Sequence, residues 1–278
     1  MTRIAVVTPS FAYGRFIADA IDSVGYQKFP TPSTHIIQDG GSTDETEAIV
    51  HSRSSAFPIS FVREADGGQS DALNKAIPRI ADADVVGWLN ADEFYLRGAF
   101  QRLAMAVTAN PNAVVYFGDC LFVNERGELI RSVPAHRMSR FVLRNYGNFI
   151  SSCTTFVKRE VLSEVGWDVT LRQTMDWDLW LTLADMGPFH YIPAPMAAFR
   201  VHSAQITPVG AHGDAAEEAA LFHKHRIRTN LPTAFAAKAA HAALKLADGA
   251  YRRQLRERSR VGEPMQWWGQ DSQVEYGA

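Results

Sequence analysis

The sequence has little cysteine and no long apolar run. Its 278 residues include only Cys120 and Cys153, far apart and without metal-ligand spacing, so no disulfide framework is indicated and a reducing cytoplasm is expected. The Ile4–Val7 run is too short for the apolar region of a signal peptide. No stretch approaches the roughly 18 to 20 apolar residues of a membrane span. These absences predict a soluble protein, at most peripheral to a membrane.

Strong net charge and a dinucleotide-binding fingerprint are also missing. The formal net charge is −2, which argues against broad nucleic-acid binding, because neutralising phosphates requires a clustered basic surface. Where G-x-G-x-x-G would follow the first strand, the chain has Thr8-Pro9-Ser10. This substitution disfavours a nicotinamide- or flavin-dependent dehydrogenase.

The first hundred residues alternate between short β-branched runs and helical segments, which indicates βαβ units and a mostly parallel sheet. The predicted strands are Ile4–Thr8, His35–Gln38, Ile59–Val62 and Asp84–Leu89, and the predicted helices are Gly14–Val24, Asp44–His51, Ser70–Ile80 and Gly98–Ala109.

The second half of the sequence predicts a mixed arrangement, followed by helices alone. A hairpin (Val114–Val123 with Glu128–Val133) precedes two short strands, Phe189–Ile192 and Met196–Val201. From about residue 214, two helices are expected, Asp214–Arg228 and Thr233–Arg260, followed by a tail that carries Trp267-Trp268. We therefore predict an α/β domain over residues 1–212, with a parallel half (1–110) and a mixed half (111–212), and a C-terminal helical extension over 213–278.

Polar loops follow three of the predicted parallel strands. They are Thr8-Pro9-Ser10-Phe11, Asp39 to Asp44, and Asn90-Ala91-Asp92-Glu93. In an open parallel sheet, ligands bind outside the carboxyl ends of the strands, where such loops converge. The three loops are therefore expected to share one site.

The loop after the second strand has both a structural and a functional interpretation. Ser42-x-x-Glu45 fits a capping box, and Gly40-Gly41 permits a tight turn. Neither explains Asp39, whose carboxylate is suited to accept the N–H of a uracil-like base.

Acidic residues after the fourth strand suggest a metal site. Asp92 and Glu93 follow a buried strand, where carboxylates are costly unless they bind a cation or a donor group. Mg²⁺ and Mn²⁺ often bridge one or two carboxylates to a diphosphate. The alternative is an acidic helix start. The nearby Asp82-Ala83-Asp84 is a literal D-x-D, but it precedes its strand and should face the opposite edge.

Two further segments have candidate roles. Asp66, Gly68 and Ser70 open a helix whose N-terminus could bind phosphate, although Ser70 could simply cap that helix. Asp176 begins a later helix, where it could be the N-cap or the carboxylate that deprotonates an acceptor hydroxyl. His202 follows a strand, and a lone histidine is more often structural than a ligand.

Taken in order, these runs resemble the family-2 glycosyltransferases of the GT-A fold, especially bacterial members that build surface polysaccharides. The resemblance covers about residues 1–207 and leaves the C-terminal helices outside it. Its six runs are Val6–Phe11, Gln38–Asp44, Asp66–Lys75, Trp88–Tyr95, Met175–Leu181 and Phe199–His202.

The resemblance implies where the donor binds. Pro9 and Asp39 would hold the nucleotide base, with Thr8 and Ser10 also among the donor-binding residues, and the Asp66–Asp71 loop would lie near the ribose and diphosphate. Residues 1–110 would thus form the nucleotide-binding half of the domain and residues 111–212 the acceptor-binding half. A nucleoside-diphosphate sugar of the UDP or dTDP type is the expected donor.

The resemblance also implies which residues bind the metal ion and which residue is the general base. Asn90-Ala91-Asp92 stands where the family has D-x-D, so Asp92 would bind Mn²⁺ or Mg²⁺ and Asn90 would contact ribose. His202 matches a position that adds a metal ligand in some members, and Asp176 matches the general base. Met175 departs from the family, because many members have an acid there.

The sequence therefore predicts a metal-dependent, inverting glycosyltransferase acting on a saccharide or lipid-linked acceptor, without nucleic acid. Its alternatives are a sugar-nucleotide nucleotidyltransferase, which would need a basic glycine-rich loop after the first strand, and a non-catalytic nucleotide-sugar-binding protein. The C-terminal helices carry basic clusters at residues 223–228 and 252–260. These clusters fit a solvated face, contact with anionic lipid at the inner membrane surface, or homo-oligomer formation.

Overall fold

A computed structural model describes residues 2–27, 34–54, 57–80, 82–203, 205 and 214–265. The predicted boundary at residues 212–213 and the Trp267-Trp268 tail lie outside the described residues.

One mixed sheet organises the described chain, and its strand order is β3-β2-β1-β4-β8-β6-β9-β5, with β7 paired to β6. β1 to β4 are mutually parallel, β8 runs antiparallel between β4 and β6, and β9 is parallel to β6. This confirms the predicted fold class, a Rossmann-like parallel half followed by a mixed half. The strands are β1 Ile4–Ser10, β2 Thr34–Asp39, β3 Ile59–Arg63, β4 Val85–Trp88, β5 Phe94–Tyr95, β6 Val115–Val123, β7 Leu129–Val133, β8 Thr155–Lys158 and β9 Phe189–Arg200.

Helices cover both faces of the sheet and continue beyond it at the C-terminus. Their bounds are α1 Gly14–Gly25, α2 Thr46–Arg53, α3 Gln69–Ala76, α4 Ala99–Ala109, α5 Arg140–Asn145, α6 Arg159–Val165, α7 Met175–Met186, α8 Ala215–Lys224, α9 Leu231–Ala247 and α10 Ala250–Arg258. In the described part of the chain, no helix is both long and apolar enough to cross a membrane.

The sheet is buried on both faces because successive β1 side chains enter different cores. Ala5 and Val7 pack with Leu73 of α3 and Trp180 of α7, whereas Val6 packs with Phe100 of α4 on the other face. All seven residues of β1 are buried, so its apolar run does not alternate with polar residues.

Two sequence predictions for the later elements were wrong. The expected pair of short strands is one strand, β9, whose pairing with β6 shifts register on either side of Asp119 and then continues. The expected helix over residues 233–260 is divided into α9 and α10 by Gly249, whose positive φ of 69° ends the helical path. The two-residue strand β5 was not predicted.

Candidate active site

A cleft of about 500 Å³ opens at the carboxyl edge of β1, β2 and β4. Most of the predicted donor-binding residues line it, together with Asp92, so the three polar loops share one site as expected. The lining residues are Pro9, Ser10, Phe11, Tyr13, Gly40, Asp66, Gly68, Gln69, Ala72, Asn90, Ala91, Asp92, Arg172, Phe199 and Gln205. Thr8, Asp39 and Ser70 are buried and do not appear in this lining.

Asp39 organises its own loop. Its side chain is fully buried, and one carboxylate oxygen accepts the backbone N–H groups of Gly41 and Ser42 at 3.0 and 2.7 Å. The other oxygen accepts the Ser42 hydroxyl at 2.5 Å, and that hydroxyl oxygen accepts the Ala12 N–H at 2.8 Å. Asp39 therefore joins the loops after β1 and β2, and its contact with a base stays a prediction.

The predicted capping box at Ser42 and Glu45 was wrong. The helix α2 begins only at Thr46, and the N-cap residue Glu45 makes no side-chain cap hydrogen bond. Asp44 instead accepts hydrogen bonds from the Thr46 backbone and hydroxyl at 3.2 and 2.6 Å. Ser42 is thus left to bond Asp39.

Glycines let the loops after β2 and β3 approach each other. A Cβ atom at Gly40 would lie 2.6 Å from an Asp66 carboxylate oxygen. Gly68 has a φ of 121° and a ψ of −177°, a conformation that is essentially restricted to glycine. Its N–H donates to Asp66 at 2.9 Å, while the Gly67 N–H donates to Asp71 at 2.9 Å. The loop is therefore held in shape by its own carboxylates.

Asn90 connects β4 to α3. Its side-chain oxygen accepts hydrogen bonds from the Trp88 indole at 2.8 Å and from the Gln69 amide. Its backbone N–H donates to Glu93 at 2.8 Å. Glu93 is 1% exposed, and burial followed by the neighbouring Asp92 charge raises its pKa well above the ordinary value. Of the two adjacent acids, only Asp92 lines the cleft.

Asp92 is paired with His202. One carboxylate oxygen lies 2.8 Å from the imidazole Nε2, and the imidazole packs against Phe16 at a ring distance of 4.7 Å. Arg200 donates to the Asp92 carbonyl at 3.1 Å and forms an ion pair with Asp19 at 2.5 Å. Sequence reasoning missed Arg200 as a support for this pair, although it lies in the Phe199–His202 run.

Asp92 and His202 form a pair, and the described residues contain no group of three or more His, Cys, Asp or Glu side chains that could hold a metal. Mg²⁺ and Mn²⁺ are commonly held by one or two protein ligands, with water and substrate phosphates completing the coordination. The Asp92 carboxylate, which lines the cleft, and the His202 imidazole beside it therefore fit such an ion.

Asp176 lies in the first turn of α7. It accepts the Asn148 side-chain amide at 2.8 Å and the Trp177 backbone N–H at 2.7 Å. Burial raises the pKa of this carboxyl to about 6, although both hydrogen bonds act to lower it. The N-cap is Thr174, so the alternative interpretation of Asp176 as the cap was wrong.

The start of α7 adjoins the first turn of α3. The Ser70 hydroxyl donates to the Leu171 carbonyl at 3.1 Å and lies 3.4 Å from the Met175 sulfur. Arg172 lines the cleft, although Asp176 itself is not among the lining residues. Arg172 belongs to none of the six sequence runs, so no sequence signal singled it out.

Solved structures with the same architecture include glycosyltransferases. The chain aligns with the first 349 residues of TarS from S. aureus in complex with UDP-GlcNAc at a TM-score of 0.63 and 15% identity, covering 81% of this chain and 65% of that one. For the mannosyltransferase PcManGT from Pyrobaculum calidifontis in complex with GDP-Man and Mn²⁺, the TM-score is 0.57, the identity 20%, and the coverage 92% and 80%. The fold and its cleft define a protein of the GT-A class.

The family follows from the sequence comparison. The profile described as "Glycosyl transferase family 2" matches residues 5–166, more than half of the chain. The protein belongs to this family of glycosyltransferases.

Several curated relatives are much longer than this chain. An uncharacterized glycosyltransferase of Rickettsia felis is 23% identical over 212 residues, which cover 73% of this chain and 35% of that protein. Chondroitin synthase of Escherichia coli is 23% identical over 205 residues, which cover 68% of this chain and 27% of that protein. The chain thus spans about a third or less of the length of these two relatives.

Proposed function

We propose that this glycosyltransferase is metal-dependent and inverting, and that it transfers a sugar from a nucleoside-diphosphate sugar to an acceptor hydroxyl. One observation carries the proposal: the loops after β1, β2 and β4 enclose a single cleft, beside which lies the Asp92–His202 pair. Asp176 begins the helix α7, and Arg172, just before that helix, lines the same cleft.

The cleft is suited to a nucleotide donor. Phe11, 64% exposed, and the half-buried Tyr13 offer aromatic surface to a base. Arg172 offers a positive charge to a diphosphate. Fold relatives solved with UDP-GlcNAc and with GDP-Man support a nucleotide sugar as donor. A uridine or thymidine diphosphate sugar agrees best with the Asp39 hypothesis.

Asp92 and His202 would hold the metal ion. Mn²⁺ or Mg²⁺ bound there supplies positive charge that neutralises the departing diphosphate. The complex of the fold relative PcManGT with GDP-Man and Mn²⁺ supports a divalent metal ion accompanying the donor.

Asp176 would act as the general base. A carboxyl with a pKa of about 6 is largely ionised at neutral pH, yet basic enough to accept a proton from a hydroxyl that is losing it. As the acceptor oxygen bonds to the anomeric carbon, its proton passes to Asp176, and the bond from that carbon to the diphosphate oxygen breaks. Attack from the face opposite the leaving group inverts the anomeric centre.

The acceptor is proposed to be a saccharide or a lipid-linked sugar, in polysaccharide or glycolipid biosynthesis. The relationship to E. coli chondroitin synthase supports a saccharide acceptor. We further propose a cytoplasmic enzyme with peripheral membrane contact through α9, because Leu231, Phe235 and Leu246 are 87%, 76% and 72% exposed. Liposome flotation tests this contact. A dimer in solution that does not bind vesicles would favour the homo-oligomer alternative.

A donor panel tests the proposed reaction. Release of nucleoside diphosphate and formation of a glycoside are measured with UDP-, dTDP- and GDP-sugars, with and without Mn²⁺, across saccharide acceptors. Asp176→Asn should abolish most turnover while calorimetry shows nearly unchanged nucleotide affinity. Pyrophosphate release from a triphosphate and a sugar phosphate would instead indicate a nucleotidyltransferase. Wild-type turnover in Asp176→Asn would refute the base assignment.

A further inference from the structure

Glu217 of α8 binds the chain that leads into the helix of the proposed base. One carboxylate oxygen accepts the Arg172 N–H at 2.6 Å. The other accepts the N–H groups of Gln173 and Thr174 at 2.8 and 2.9 Å and the Thr174 hydroxyl at 3.1 Å. Three consecutive backbone donors therefore converge on a single carboxylate, 43 to 45 residues away in the sequence.

These contacts hold the chain at the N-terminus of α7 from outside that helix. The N-cap Thr174 makes no side-chain cap hydrogen bond within α7, and its own backbone N–H and hydroxyl donate to Glu217 instead. A carboxylate at a helix N-terminus is also favoured by the helix dipole. Glu217 supplies both the acceptor and the charge, and so fixes the backbone two residues before Asp176.

The end of α8 holds the same stretch of chain at other points. The Lys224 ammonium bonds Asp178 at 2.9 Å and Asp168 at 2.7 Å, and the His225 imidazole bonds Asp178 at 2.7 Å. The hydrogen bond from Lys224 is the main reason that the pKa of Asp168 is lowered to about 2. α8 therefore contacts the chain on both sides of Asp176.

We infer that Glu217 is a positioning residue for the transfer reaction: it holds the Arg172–Thr174 segment so that Asp176 meets the acceptor hydroxyl. This inference rests on the proposed function. It gives part of the C-terminal helical segment a role in the chemistry, although that segment lies outside the family profile, which matches residues 5–166.

The test compares Glu217→Gln with Glu218→Gln. Both remove one acid from the same helix, and Glu218 does not approach the α7 segment through any hydrogen bond of the described residues. Glu217→Gln is expected to lower kcat about 10- to 100-fold, because displacing the base Asp176 mainly slows the chemical step. Because Arg172 lies in the segment that Glu217 holds, the donor KM and the calorimetric Kd for the nucleoside diphosphate should also rise, but by no more than about threefold. Glu218→Gln should behave as wild type.

Two further measurements separate positioning from loss of folding. Glu217→Asp keeps the charge on a shorter side chain and should recover part of kcat. Hydrogen exchange should show faster exchange of the 172–174 amides in Glu217→Gln, with global protection unchanged. An unchanged kcat in Glu217→Gln overturns the inference while leaving the proposed function intact. If kcat and the fraction of protein that binds nucleotide fall equally, the variant is partly unfolded, and this result also overturns the inference. No transfer by the wild-type enzyme refutes the function itself.

Discussion

The carboxylate of Asp92 and the imidazole of His202 lie 2.8 Å apart, although 110 residues separate them in the sequence. Asp92 follows β4, His202 follows β9, and Arg200 at the end of β9 bonds the Asp92 carbonyl. The pair is therefore placed by the second half of the sheet, which brings the end of β9 back beside the loop that follows β4.

This pairing predicts a metal-dependent component of nucleotide affinity. Asp92→Ala and His202→Ala should each weaken nucleoside diphosphate binding in Mn²⁺ by at least about tenfold, because each removes one of two proposed ligands. Calorimetry with and without Mn²⁺ measures this component. Asp82→Ala is the matched control, because Asp82 precedes β4 and is exposed at the opposite edge. Equal affinity for all variants in Mn²⁺ would exclude the metal site.

The pKa of Asp176 predicts the acidic limb of the pH–rate profile. Since burial raises this pKa to about 6, the carboxylate is protonated and inactive below that pH. The kcat/KM, which reports the pKa of the free enzyme, should therefore fall about tenfold per pH unit below pH 6 and level off above about pH 7. Steady-state rates from pH 4.5 to 8.5 measure the limb. A rate that stays constant down to pH 4.5 would contradict the assignment.

The hydrogen bond from Asn148 to Asp176 predicts that replacing Asn148 shifts the acidic limb of the pH–rate profile. The Asn148 amide donates to the ionised carboxylate of Asp176, so Asn148→Ala should raise the pKa of Asp176 and move the limb to higher pH. Asn145→Ala serves as the control, because the Asn145 amide bonds the Phe141 carbonyl within its own helix. A limb that moves to lower pH in Asn148→Ala would show that increased hydration of the site outweighs the lost hydrogen bond.

The cleft was predictable because it depends on local patterns and parallel topology. Buried runs ending at Ser10, Asp39 and Trp88 must place their carboxyl ends together in a parallel sheet, so the polar residues after them converge. These residues can therefore be assigned to the cleft from the sequence pattern alone, without knowledge of any long-range contact.

The supports of the site were not predictable, since they come from distant parts of the chain. Glu217 reaches Arg172 across 45 residues, and Ser70 reaches Met175 across 105. The sequence also predicted that Ser42 caps the following helix, but its hydroxyl donates to the buried Asp39 carboxylate instead. Such choices are decided by tertiary packing and burial, which periodicity does not encode.

The two adjacent glycines before α3 predict opposite responses to substitution. Gly68→Ala should destabilise the protein by about 1–3 kcal/mol and weaken nucleotide binding, because its backbone conformation is essentially restricted to glycine. At Gly67 a Cβ atom would meet its nearest neighbour at 3.7 Å, an ordinary contact, so Gly67→Ala should be tolerated. Urea denaturation and calorimetry compare the two. Similar losses in both variants would argue that the loop needs flexibility and not one conformation.

A buried ion pair between Asp119 and Arg253 predicts that α10 stabilises the whole domain. Asp119 of β6 is fully buried and accepts the Arg253 guanidinium at 2.6 Å and the Tyr191 hydroxyl at 2.5 Å. Arg253→Met would leave this charge without its cation and should lower the free energy of unfolding by about 3–5 kcal/mol. Arg252→Met, a neighbouring exposed change, should stay within about 0.5 kcal/mol.

The pH dependence of that loss identifies its cause. Burial already raises the pKa of Asp119, and the positive charge of Arg253 acts to lower it, so removing Arg253 should raise it further. A carboxyl whose pKa is higher in the folded than in the unfolded protein loses stability as pH rises between the two values. The deficit of Arg253→Met should therefore be smaller at pH 5 than at pH 7.5 in urea denaturation. An equal loss of unfolding free energy at pH 5 and pH 7.5 would show that its cause is lost packing of the arginine side chain and not the unpaired Asp119 carboxylate.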